Sequence, residues 1–148
     1  MTIADMPYEY LEEFGTADIA FQATGRDLSE LFRDAADATT NVMIDNIEAI
    51  QPRETRQIEL SNDKLDMLLF DLLQELIFLK DAERLLLRIR ETQVAEKDEN
   101  YFVKATAEGE PLDAERHHQR ADVKAVTLHD FSVEQTESGW KARVLLDI

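Results

Sequence analysis

The 148-residue chain has no cysteine. It can form neither a disulfide nor a thiolate nucleophile or metal ligand. Glycine is scarce, with four residues scattered at 15, 25, 109 and 139. That excludes a Gly-rich loop cradling phosphates, and no serine sits in a Gly-x-Ser-x-Gly elbow. Long apolar runs are also missing. The richest stretch, Leu68-Leu69-Phe70-Asp71-Leu72-Leu73-Gln74, is broken by polar residues well short of a membrane span. The opening Met1-Thr2-Ile3-Ala4-Asp5 lacks the basic and apolar parts of a signal peptide. A cytoplasmic protein without membrane association is expected. Positive charge is in short supply: 16 Lys and Arg against 32 Asp and Glu, a formal charge of -16. Such a chain does not clamp a nucleic-acid backbone non-specifically, and a basic partner or metal ions suit it better. Sixteen surplus negative charges repel one another and are tolerated best where salt screens them. Together with a basic set of ten Arg and six Lys, this predicts a salt-adapted source.

What is present is strongly patterned. Hydrophobic residues make up 44% of the chain, enough for one core in one domain. Residues 1–7 read as a short tail and residues 8–148 as a single domain. Ile19, Phe21 and Ala23 alternate with smaller or polar residues until Gly25, a strand period. Asp27 then begins a helix, with Glu30 in capping-box spacing. The helix buries Leu28, Leu31, Phe32, Ala35, Val42 and Met43, turns Arg33, Asp34 and Asp37 to water, and ends near Asp45-Asn46. Glu54 to Leu60 reads as a strand. Ser61-Asn62-Asp63 opens a second helix whose stripe, Leu65, Leu68, Leu69, Leu72, Leu73, Leu76 and Ile77, is wide enough for a central helix. Strands follow at Arg84–Val94, Tyr101–Ala107, Val123–Val133 and Trp140–Ile148. A polar turn at Asp98-Glu99-Asn100, a charged connection over Glu108–Arg120 and a turn at Glu137-Ser138-Gly139 separate them. No tandem repeat appears. The fold class is α+β: a two-layer domain with two main helices on a mostly antiparallel or mixed sheet of about six or seven strands.

The sites that chemistry could use are few. His117 and His118 are adjacent, so on an extended chain they point to opposite sides and make a poor metal pair; a solvated loop is the simpler reading. His129 sits among apolar neighbours on an alternating strand, the setting of a core or half-buried histidine. Tyr101 and Phe102 have no second aromatic cluster to make an RNA-binding sheet. Two acids have odd settings. Asp18 precedes the apolar run of the first strand, and Asp147 follows Val144-Leu145-Leu146 beside the terminal carboxylate of Ile148. If they meet, they offer oxygen ligands for a hard cation such as Ca²⁺, Mg²⁺ or Mn²⁺. On the residues alone, two solvated acids among 32 is the stronger reading.

Several segments in order resemble the archease family. Tyr8-Glu9-Tyr10-Leu11-Glu12 and Thr16-Ala17-Asp18-Ile19 are similar to its opening. Asp27-Leu28-Ser29-Glu30-Leu31-Phe32 is similar to its first helix and Leu68–Phe78 to its second. Val123-Lys124-Ala125-Val126-Thr127-Leu128-His129 is similar to its late strand, and Ala142-Arg143-Val144-Leu145-Leu146-Asp147-Ile148 to its end. The family's histidine before Thr-Ala-Asp is replaced by Gly15, which puts any role of that histidine in doubt.

The resemblance implies a ligase-activating protein without catalysis of its own. Archeases assist RtcB-type ligases, which join RNA ends carrying a 2′,3′-cyclic or 3′-phosphate to a 5′-hydroxyl in tRNA splicing. They promote guanylylation of the ligase and its multiple turnover. The implied partner is therefore such a ligase, with RNA met only through it. The implied metal site is Asp18, Asp147 and Ile148, holding a divalent cation (Ca, Mg or Mn) or presenting carboxylates to the ligase's own metal. Lys124 is a candidate contact to ligase or phosphate, and equally a solvated or salt-bridged lysine. Glu75 is a candidate further carboxylate, with an exposed helix acid the simpler reading. Two alternatives predict other behaviour. A general folding modulator would protect unrelated clients and ignore Asp18 and Asp147. A metal-dependent hydrolase would turn over a phosphoester alone, but no general base or nucleophile accompanies the acids. Nothing in the sequence sets an oligomeric state.

Overall fold

The computed structural model describes residues 7–11 and 18–148. Residues 1–6 of the expected tail, and 12–17 with Gly15, Thr16 and Ala17 of the opening motif, lie outside the described residues. The elements run β1 (Tyr8–Tyr10), β2 (Asp18–Gly25), α1 (Leu28–Met43), β3 (Glu54–Asn62), α2 (Leu65–Glu83), β4 (Leu85–Lys97), β5 (Asn100–Pro111), β6 (Ala125–Thr136) and β7 (Gly139–Asp147). The class is α+β, as the patterning predicts. The seven strands divide into two sheets, β1-β2-β7-β6 and β3-β5-β4. Every neighbouring pair is antiparallel. The last strand therefore lies along the first long one, which brings positions 18 and 147 together.

Each helix serves both sheets. α1 packs on β2 and β7 and also along β4, while α2 packs on β3, β4 and β5 and along β6. This explains two corrections on α1. Asp34 and Asp37 were expected in water, yet Asp34 is only 9% exposed. Asp37 takes two hydrogen bonds from Arg88 of β4, at 3.1 and 3.0 Å. A helix wedged between a sheet and a foreign strand is covered on two sides, so its apolar stripe understates its burial. The start of α1 is as expected: Asp27 accepts the Glu30 amide at 2.8 Å, a cap whose loss costs about 1 kcal/mol.

α2 buries Leu68, Leu69, Leu72, Leu73, Leu76, Ile77 and Leu79, each contributing roughly 1.5–3 kcal/mol. At its start, Asn62 accepts the Lys64 amide and donates to Asp71, both at 3.0 Å. β4 and β5 are joined through Asp98 and Glu99, both at positive φ (52° and 64°), the backbone of a tight hairpin turn. β5 runs on to Pro111, past the expected end of pairing at Ala107. Gly109 makes that extension feasible, since a Cβ there would lie 1.7 Å from the Leu86 carbonyl oxygen.

Candidate functional site

Pairing of β2 with β7 proceeds without a slip from Gly25↔Trp140 to Asp18↔Asp147. Directly opposed residues of an antiparallel pair share a face, with Cβ atoms about 4.5–5.5 Å apart. Ile19, Phe21 and Ala23 with Ala142, Val144 and Leu146 form the core side. Alternation therefore sends Asp18 and Asp147 together to the other side. Both are half-buried. On the far side of β7, Asp147 is opposite Ala125 and Leu145 is opposite Thr127. Thr127 thus shares the face of the two acids. Its hydroxyl is buried with no hydrogen-bond partner among the described residues.

The remaining expected residues fall at different distances from this pair. The Lys124 amide donates to the Asp147 carbonyl at 2.8 Å, so its backbone is fixed against the end of β7 while its side chain is exposed. Ile148 packs against the core cluster. Glu75 lies half-buried on α2, one residue from Gln74, whose side chain accepts the Val126 amide at 2.9 Å. The structure therefore brings Asp18, Asp147, Thr127 and the Lys124 backbone into one neighbourhood. It records no contact of Glu75 with them.

The electrostatics of the pair are unfavourable as they stand. Among the described residues, neither Asp18 nor Asp147 is in an ion pair. Like charges directly opposed across an antiparallel pair destabilise by about 0.2–1 kcal/mol. Among the described residues no group of three or more Asp, Glu, His or Cys side chains is placed to hold a metal. A cation here would have two side-chain carboxylates, with main-chain or hydroxyl oxygen to complete its shell. That donor set suits a hard cation.

Two histidine readings are corrected. His117 is 1% exposed rather than solvated. Its Nδ1 accepts the Asp113 amide at 2.9 Å and its Nε2 lies 3.0 Å from Glu110, itself 1% exposed. The accepting Nδ1 assigns the proton to Nε2, which donates to Glu110. His118 points to solvent, so the two do diverge. His129 is exposed because β6 bulges: register passes from Thr127↔Leu145 to Ser132↔Arg143. Leu128–Phe131 then stand opposite a single residue, Asp130 takes φ 56°, and alternation is lost. Sequence reasoning also missed Thr127, whose neutral side chain gave no signal.

With this geometry in place, comparison with known proteins is informative. A sequence model of the Archease protein family matches residues 8–148. The archease of Methanosarcina acetivorans is 39% identical over 142 residues, 95% of each chain. The chain belongs to the archease family. The archease of Pyrococcus abyssi is 36% identical over 134 residues, covering 90% of this chain and 94% of that one. The solution structure of protein 1598 of Methanobacterium thermoautotrophicum superposes with a TM-score of 0.82 at 36% identity, over 96% of this chain and 99% of that one. The crystal structure of a Thermotoga maritima archease, described as a possible chaperone, shares the fold with a TM-score of 0.62 at 19% identity, over 90% and 92% of the chains. No helix among the described residues is long and apolar enough to cross a membrane.

Proposed function

We propose that this archease activates an RtcB-type RNA ligase, promoting its guanylylation and multiple turnover in tRNA splicing, and does no covalent chemistry of its own. The observation that carries this reading is the Asp18↔Asp147 pair: two carboxylates on one sheet face, neither of them in an ion pair among the described residues. In this reading Asp18, Asp147 and Ile148 hold a divalent cation, Ca²⁺, Mg²⁺ or Mn²⁺. When bound, it supplies positive charge for organising phosphates, where phosphoryl transfer depends on positioning and charge stabilisation. The residues of the chain set that geometry. The β2–β7 register fixes the spacing of the two acids, the Lys124 amide holds the Asp147 main chain at 2.8 Å, and the unpartnered Thr127 hydroxyl offers a further oxygen on the same face. The exposed side chain of Lys124 would meet the ligase or phosphate in this reading. Glu75, one helix position from Gln74, is the candidate further carboxylate in this reading.

The test is to add the protein to an RtcB-type ligase from the same source with GTP and Mn²⁺ and to follow ligase guanylylation. The wild-type chain should accelerate it and Asp18→Ala should not, with the melting temperature of Asp18→Ala no lower than wild type. Full stimulation by a folded Asp18→Ala protein overturns the assignment of the site.

A second reading, a chaperone-like folding modulator, is favoured by the exposed Phe78 (59%) and Leu128 (61%) and by the description of the Thermotoga relative. It predicts that the protein suppresses aggregation of unrelated clients and is indifferent to Asp18 and Asp147.

A further inference from the structure

α2 and β6 lie side by side in opposite directions, and three contacts fix how they align. The ring of Phe70 meets that of Phe131 edge-on, with centroids 5.6 Å apart. The Gln74 side chain accepts the Val126 amide at 2.9 Å. Lys80 Nζ donates to the Val123 carbonyl at 2.9 Å. Among the described residues the exposed large apolar side chains are Phe78, Phe102 and Leu128, and two of these three belong to this seam. Phe78 lies one helical turn beyond Gln74 and short of Lys80, so it stands alongside the 123–126 stretch. Leu128 falls between Val126 and Phe131. Both have more than half of their surface in water.

The exposure of Leu128 is set by the backbone. Val126 is buried in the core, and regular alternation would turn Leu128 to the same side. The bulge of β6 begins there instead. It holds Asp130 at φ 56°, a left-handed conformation that residues other than glycine rarely adopt. Phe131, half-buried against Phe70, pins the far end of the bulge. Bulges near functional sites re-aim side chains, and this one brings a core-patterned leucine out into water.

The seam adjoins the carboxylate pair. Ala125, within its span, is opposite Asp147, so the acid's strand is one strand spacing away, about 5 Å. A stable interface covers roughly 800 Å² of each partner, a patch roughly 30 Å across. One partner can therefore cover the seam and reach the carboxylates together. The charges select that partner. Leaving His129 aside, the charged side chains from Phe70 to Asp81 and from Asp122 to Phe131 are Asp71, Glu75, Asp81, Asp122 and Asp130 against Lys80 and Lys124. A second copy across a two-fold axis would oppose this patch to itself and set acids against acids. A basic surface with apolar pockets is complementary to it. We propose that the α2–β6 seam is the docking face for the ligase, with Phe78 and Leu128 seated in apolar pockets of a basic surface. The inference rests on the ligase-activating reading. It assigns to one specific partner the two side chains that a folding modulator would offer to any client.

The experiment uses the full chain and an RtcB-type ligase from the same source, with GTP and Mn²⁺. Affinity for the ligase is read by biolayer interferometry, and guanylylation is followed as a function of added protein. Phe78→Ser and Leu128→Ser should each weaken binding about tenfold and raise the half-saturating concentration to match, with the plateau of stimulation unchanged. Leu128→Met, which keeps the apolar volume, should bind within about twofold of wild type. Asp18→Ala should show the reverse pattern, binding kept and plateau lost. Variants are compared at matched melting temperature, and Phe78→Gln or Leu128→Gln replaces a serine variant that melts low. Wild-type affinity in both serine variants, with a wild-type protein that binds and stimulates, overturns the docking face and leaves the ligase reading standing. A wild-type protein that neither binds nor stimulates overturns both. The proposal also fails if the serine variants keep full ligase affinity but lose a wild-type dimer in light scattering, which assigns the seam to a second copy. It fails equally if they keep that affinity but lose protection of an unrelated aggregating client.

Discussion

Glu110 and Asp147 are both acids near the ends of antiparallel strands, and their surroundings are opposite. Glu110 is buried and receives the Gln51 amide at 2.7 Å, the Arg116 guanidinium and the His117 ring. Arg53 approaches it at 3.6 Å. Burial alone would raise its pKa, but these donors outweigh burial and hold it below the ordinary glutamate value. Asp147 faces Asp18, and neither is in an ion pair among the described residues. The difference separates two uses of a carboxylate. One is built into the fold, where it ties the 112–120 connection to β5. The other is left with an electrostatic cost that a ligand can offset. Asp34 is an intermediate case: buried, with Arg33 at 4.0 Å as its ion-pair partner among the described residues.

Breaking the satisfied acid should have the largest effect. Glu110→Ala leaves Arg116 and His117 facing an empty site and should cost about 3–5 kcal/mol, read as a lower urea midpoint at pH 7. The sign of its pH dependence follows from its depressed pKa. Its stabilisation is present above the ordinary glutamate range and is lost as pH falls through the folded-state value. The acid limb of the stability profile should therefore flatten in Glu110→Ala.

Asp34 should respond in the opposite direction. Burial pushes it up to about 7 from 3.8, against the pull of Arg33 and with help from Glu30 and Asp37. The folded state then holds a proton that the unfolded state releases, so stability falls as pH rises from about 4 to 7 and is level above. Asp34→Asn should match wild type near pH 4 and exceed it at pH 8 by about 1–3 kcal/mol, a value reduced for partial solvent screening. Equal stability at pH 8 would show that Asp34 is better solvated than its burial indicates. At the scale of the whole chain, the charge of -16 makes the same point: the melting temperature should rise from dilute buffer to 2 M KCl as repulsion is screened. A flat response would remove the argument for a salt-adapted source.

These contrasts also mark how far the sequence was legible. Both helices, six of the seven strands and the meeting of Asp18 with Asp147 follow from periodicity and resemblance, because apolar spacing directly reports which face is buried. β1, three residues long, is too short to show a period. The division into two sheets is a matter of which strands pair, and alternation is silent on that. His117 and Asp34 were misplaced because their burial comes from distant partners: Glu110 across a turn for the one, β4 along the flank of α1 for the other. His129 was misplaced because one bulge cancels alternation for four residues.

The smallest effect is the most diagnostic of the carboxylate pair. Like charges directly across an antiparallel pair destabilise by about 0.2–1 kcal/mol. In chelator-treated buffer Asp147→Asn should therefore be more stable than wild type by about that amount. Excess Ca²⁺ or Mn²⁺ should reverse the order. A ligand bound only by the folded state stabilises by RT ln(1 + [L]/Kd), about 2.7 kcal/mol at one hundred times Kd, and Asp147→Asn forfeits most of that gain. The two stability curves should cross as metal is added, wild type rising and the variant staying level. Non-specific screening would instead lift the wild type to the level of the variant and no further, as sodium at matched ionic strength would do. Crossing thus separates a bound cation from a screened repulsion, and parallel curves would leave Asp18 and Asp147 as a strained pair without a ligand.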